Sequence, residues 1–129
     1  MTKTKKAYIP SKIELEGLLS ITKEDSIQRW AMLHFSYFAG LRSMEIASLS
    51  IEDIFQGNEL KGMAQLPTKG GGTRRITLVD KKLRSAISTF YEVQNLSAKP
   101  MTAPLFTNLS GGRFTANAVV KQFVKMYQK

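Results

Sequence analysis

The chain of 129 residues contains no cysteine and a single histidine. The first absence excludes a disulfide framework, and the two together exclude a zinc site built from Cys and His. Both accord with a reducing, cytoplasmic setting. No apolar run approaches the roughly 20 residues that span a bilayer. The N-terminal "MTKTKK" is not followed by the apolar core of a secretory signal. The sequence therefore reads as soluble and intracellular, with no membrane partner. Negative charge is scarce as well: ten Asp plus Glu stand against nineteen Lys plus Arg, for a formal net charge of +9 and a pI near 9.9. A field of that sign favours polyanions, of which nucleic acid is the commonest inside a cell. The alternative is a basic surface that does no more than keep the protein soluble. Internal repeats, heptads and low-complexity tracts are all missing, which excludes solenoids and coiled coils.

With 43% hydrophobic residues spread along the whole chain, one domain with one core is expected. The spacing predicts an α+β fold, mainly helical with a small antiparallel sheet of two to three strands. "SKIE" at 11–14 has the form of a capping box and opens a first helix over about 11–20. Ile27, Trp30, Ala31, Phe35 and Phe38 recur at helical spacing over 24–39 and end at Gly40, a helix stop. Ser43 is placed to cap a short third helix carrying Met44, Ala47 and Ile51 along one side, with Ile46 and Leu49 adjoining. "QGNE" at 56–59 reads as a turn. "ELKGMAQLP" and "TRRITLV" read as strands flanking a glycine turn. Asp80 caps a helix over 80–96, and a last helix from about Thr115 puts Val119, Val120, Phe123, Val124 and Tyr127 on one side. Residues 1–7 read as a disordered basic tail.

Arg42 stands at the start of a helix, where the dipole disfavours a cation. Glu45 lies three residues on, on the same face, so a structural ion pair is one reading. The other is an anion site, because Arg grips a phosphate with two parallel hydrogen bonds. Spacing alone leaves the two level. "PTKGGGTRR" at 67–75 concentrates Lys69, Arg74 and Arg75 around three glycines. It lacks the order of a P-loop and leads into a strand, so nucleotide binding is rejected there. What remains is a solvated hairpin tip or a basic finger along a nucleic-acid backbone. Arg113 in "SGGR" and Lys121 on the last helix are further candidate DNA contacts. His34 has no metal-binding neighbour and reads as a core or edge histidine. No metal ligand set and no cofactor motif is found.

Three stretches in order carry a resemblance: "YFAGLRSMEIASLSIEDI" (37–54), "LPTKGGGTRRITLV" (66–79) and "PLFTNLSGGRFTANAVVKQF" (104–123). Together they resemble the catalytic domain of tyrosine recombinases, the phage integrase family, over 8–129. The resemblance implies that Arg42 is the first catalytic arginine and binds the scissile phosphate, and that Glu45 supports it. It implies that Lys69 is the hairpin lysine that protonates the leaving 5′ oxygen. The implied chemistry is metal-free phosphodiester transesterification, with a tyrosine attacking DNA while cations stabilise the phosphate.

The family places a His-x-x-Arg segment, a further His or Trp, and the nucleophilic tyrosine after the helix that ends this sequence. His34 is followed by Phe35, Ser36 and Tyr37 and does not supply that segment. No tyrosine here, Tyr127 included, inherits the role of nucleophile. The resemblance also leaves no room for the family's N-terminal DNA-clamping domain. The expectation is therefore a partial catalytic domain that binds double-stranded DNA and does not cleave it alone, in the company of other recombinase subunits. An accessory protein that docks on an intact recombinase is one alternative. A small basic protein binding RNA or another polyanion is a second, disfavoured because the strands lack the aromatic side chains of RNA-binding sheets.

Overall fold

The computed structural model describes residues 26–68 and 70–127, together with Gly17 and Lys23. The expected tail at 1–7, the helix over 11–20 and Lys69 lie outside the described residues. Among the described residues the first element is helix α1, Ile27–Ala39. Ser26 caps it by accepting from the Arg29 N–H at 3.2 Å. Gly40 ends it at φ 68°, where the Leu41 N–H reaches back to the Phe35 carbonyl at 3.2 Å. This six-to-one closure needs the left-handed conformation that glycine adopts without strain.

Helix α2, Ser43–Ser48, starts one residue earlier than Ser43 as a cap would have it: the N-cap is Arg42. The reason is Glu45, whose carboxylate accepts the Arg42 backbone N–H at 2.9 Å. That is the back-bonding half of a capping box, and it makes a serine cap unnecessary. A single turn, α3 at Ile51–Ile54, follows, with Asp53 accepting from the Ser50 N–H at 2.8 Å.

The expected single sheet is instead two separate antiparallel pairs, β1 (Phe55–Gln56) with β2 (Glu59–Leu60) and β3 (Met63–Pro67) with β4 (Thr73–Thr77). The run "ELKGMAQLP" is broken at Lys61 and Gly62. There the run changes partner: the Lys61 N–H bonds the Ile54 carbonyl, continuing the β1–β2 register, and the Gly62 carbonyl accepts from the Leu78 N–H, continuing the β3–β4 register. In the longer hairpin Leu66 faces Arg74 and Ala64 faces Ile76. Alternation buries Ala64, Leu66 and Ile76 and turns Arg75 to the opposite face from Arg74.

Helix α4, Lys81–Val93, is capped by Asp80, which accepts from the Leu83 N–H at 3.0 Å. Helix α5, Ala116–Tyr127, is capped by the Thr115 hydroxyl. Helix α1 packs on α4, and α2 packs on α5. Between them lies one core, with Phe106 against Phe35 and Phe90 at ring separations of 5.9 and 5.2 Å. The side of α5 expected to be buried is only partly so. Val119 is inside, while Val120 and Val124 remain about half exposed.

Candidate phosphate-binding site

Arg42 emerges where α1 ends and α2 begins, and its backbone is fixed on both sides. Leu41 is buried in the core before it, and the Glu45 carboxylate holds the Arg42 N–H behind it. The Arg42 side chain is exposed, and its guanidinium has no hydrogen-bond or ion-pair partner among the described residues. The structural ion pair between Arg42 and Glu45 is therefore not formed.

Glu45 is only 3% exposed and spends its charge elsewhere. Arg74, on β4, meets it side-on: Nε donates to Oε2 at 2.9 Å and Nη2 to Oε1 at 3.3 Å. The same Nη2 also donates to the Gly40 carbonyl at 2.8 Å. Desolvation pushes the Glu45 pKa up. The bonds from Arg74 and from the Arg42 N–H, with the charge of both arginines, outweigh it and hold the carboxyl below its usual range. The same bond raises the Arg74 pKa further above its normal value. Glu45 thus stays ionised although buried, and the cluster keeps a net positive charge centred on Arg42.

The other end of α2 is held in a similar way by Arg113. Its Nη1 donates to the carbonyls of Leu49 at 2.9 Å and Ala47 at 3.3 Å, and its Nη2 donates to the Ser50 hydroxyl at 2.9 Å. The Ala47 carbonyl is one that a helix leaves unsatisfied at its C-terminus, where a cation is also favoured, and the Leu49 carbonyl accepts from the Leu105 N–H as well. Arg84 does the same for the segment joining the hairpins, donating to the carbonyls of Leu78, Lys61 and Leu60. Arg74 and Arg113, expected among the DNA-facing cations, are thus engaged within the protein. Arg75 and Lys121 are exposed, and no hydrogen bond holds either side chain among the described residues. Lys69, expected at the hairpin turn, is outside the described residues. Thr68 and Gly72 bond across the end of the hairpin, with Gly70 and Gly71 at positive φ.

His34 is 4% exposed, its ring lies between Trp30 and Phe38, and its Nδ1 donates to the Trp30 carbonyl at 2.8 Å. It is a core histidine, as its sequence context indicated. Tyr91 stacks on Phe55 and donates its hydroxyl to Asn58. Among the described residues no group of three His, Cys, Asp or Glu side chains comes together as a metal site.

A cavity of about 480 Å³ opens elsewhere, between the start of α1, the turn at 107–110 and α5, and neither Arg42, Glu45 nor Arg74 lines it. Sequence reasoning missed the contact beside it, where the Gln28 amide pairs with both backbone groups of Thr107 at 2.9 and 3.0 Å. No local pattern marks a glutamine for that task. The cluster around Arg42 has the form of an open cationic surface, which suits a polymer of phosphates better than an enclosed small molecule.

An exposed arginine on a turn fixed by a buried acid, beside a basic hairpin, has the chemistry of an anion site. Comparison with known proteins makes that more specific. The description "Phage integrase family" fits residues 11–129, and the chain belongs to that family of tyrosine recombinases. It is 34% identical over 91 residues to tyrosine recombinase XerC of Pelobacter propionicus, covering 70% of this chain and 28% of that protein. It is 29% identical over 112 residues to the XerC of Proteus mirabilis, covering 85% and 35%. The chain thus spans about a third of the length of these relatives.

Its fold matches the crystal structure of XerA recombinase with a TM-score of 0.75 at 16% identity, over 99% of this chain and 44% of that one. It also matches the Tn1549 transposon integrase, solved in complex with circular intermediate DNA, with a TM-score of 0.63 at 18% identity, over 98% and 45%. Among the described residues no helix is long and apolar enough to cross a membrane.

Proposed function

We propose that the chain supplies the phosphate-gripping half of a tyrosine recombinase catalytic domain and acts on double-stranded DNA in site-specific recombination. The observation that carries this reading is the Arg42 guanidinium, exposed and without a partner among the described residues on a backbone that Glu45 fixes. A guanidinium fixed in advance at the place where a phosphate arrives stabilises charge there without reorganising during the reaction. Arg42 takes the non-bridging oxygens, Lys69 is the residue that would protonate the leaving 5′ oxygen in a complete catalytic site, and Arg75 and Lys121 contact flanking backbone. Glu45 is the support of Arg42. The Tn1549 integrase solved with DNA supports the choice of ligand.

The 129 residues contain one histidine and no His-x-x-Arg segment. We therefore expect them to bind DNA without cutting it, with other recombinase subunits as partners. Groups that act as one catalytic unit lose most of the rate when one is missing.

The test is the salt dependence of DNA binding. Arg42→Ala should weaken binding to unrelated duplexes alike and flatten the slope of log K against log salt by about one unit. An unchanged slope in a folded variant overturns the reading. A covalent adduct between this chain and nicked DNA overturns the expectation that it does not cut.

A further inference from the structure

The basic hairpin was expected to bring Arg74 to DNA, but three of its five N–H groups are directed inward, at Glu45 and Gly40. Both targets flank Arg42 in the chain. Gly40 is the left-handed hinge that ends α1, at φ 68°, and its carbonyl accepts from Arg74. Glu45 accepts from Arg74 with both oxygens and from the Arg42 N–H with one of them. Arg74 itself sits opposite Leu66 on the core side of the hairpin, 29 residues away from Glu45 in sequence.

We propose that Arg74 is a positioning residue: it ties the β3–β4 hairpin to the turn that presents Arg42, so that hairpin and arginine meet a DNA phosphate as one unit. The proposal rests on reading Arg42 as a phosphate ligand. A fork of two parallel bonds fixes orientation as well as distance, and lysine cannot reproduce it. Without the fork, Glu45 is a buried carboxylate short of donors, free to turn from the Arg42 N–H.

Two substitutions in the whole 129-residue chain separate positioning from simple charge. Arg74→Lys keeps the charge and removes the fork. Glu45→Gln makes the protein more positive and removes the acceptor. If Arg74 contributed only charge, the first would leave the affinity for a DNA duplex unchanged and the second would raise it. Positioning requires that both lower it, by fivefold or more at fixed salt, and that both effects fall below twofold when Arg42→Ala is already present.

A second readout needs no DNA. Hydrogen exchange at the Arg42 amide should speed up at least tenfold in Arg74→Lys, because its acceptor is no longer held. Unchanged exchange at that amide overturns the proposal, and so does a variant that binds as tightly as the unaltered chain. If exchange rises while DNA binding in every variant is flat with salt, the positioning stands and the phosphate reading of Arg42 falls.

Discussion

The imidazole of His34 lies between the rings of Trp30 and Phe38, donates from Nδ1 to the Trp30 carbonyl and is buried, which disfavours its charged form. Burial lowers its pKa from 6.5. The Trp30 carbonyl and Asp80 pull the other way, and Lys23 and Lys82 add to the lowering. A group whose folded pKa lies below its unfolded one stabilises the fold above the unfolded value and loses that contribution as pH falls. The chain should therefore lose stability as pH drops below about 6.5, with a slope of up to about 1.4 kcal/mol per pH unit for one proton. Glu45, also lowered but from 4.5, adds a second loss that begins only below that value. Urea unfolding measured from pH 8 to pH 4 checks both, and His34→Phe should abolish the upper step and leave the lower one. A slope between pH 6.5 and 5 that persists in His34→Phe would assign the upper step to another group.

Helix α2 has only six residues, too few to be stable by its own backbone bonds. Its two ends are held instead by arginines from β4 and from the turn before α5. Replacing Arg113 with glutamine takes a donor from the Ala47 carbonyl and leaves the Leu49 carbonyl with the Leu105 N–H alone, and should cost about 1–2 kcal/mol in urea unfolding, with α1 unaffected. A cost near zero would mean that water replaces the guanidinium at no loss. At the other end, Gly40→Ala meets no atom within 4 Å, so its cost is backbone strain alone, about 1 kcal/mol. Helices α1, α4 and α5 were legible in the sequence because their signals are local. The cap at Asp80 and apolar residues at helical spacing lie within a few positions of one another, whereas the cap at Ser26 went unread and the helix it opens begins at Ile27 rather than at 24. Arg42 was legible for the same reason, through the motif around it. The partners of Glu45 were not. Arg42 is three residues away and pairs through its backbone, whereas Arg74 is 29 away and arrives by the register of a hairpin that no local pattern sets against α2. The split of one expected sheet into two has a similar cause, since Glu59 and Leu60 pair back with Phe55 and Gln56 while Met63–Pro67 pair forward with Thr73–Thr77.

At the scale of the whole molecule, a net charge of +9 overstates what DNA would meet as freely placed cations. Of the six arginines, Arg29, Arg74, Arg84 and Arg113 donate to protein acceptors, and only Arg42 and Arg75 hold none among the described residues. The engaged arginines still contribute to the long-range field that steers a polyanion, and so to the rate of association. They do not each displace a counterion from a phosphate, which is what the salt slope counts. If the contacts are Arg42, Arg75, Lys121 and Lys69, the slope of log K against log salt should be about 3 to 4 units, at roughly 0.9 per phosphate. A slope near 8, approaching the net charge, would show that the whole basic surface is in contact and that no focused site exists. Arg84→Gln offers the internal comparison: it lowers the net charge by as much as Arg75→Gln does. Because Arg84 is turned onto the carbonyls of Leu78 and Lys61, it should leave the slope unchanged, while Arg75→Gln lowers it by about one.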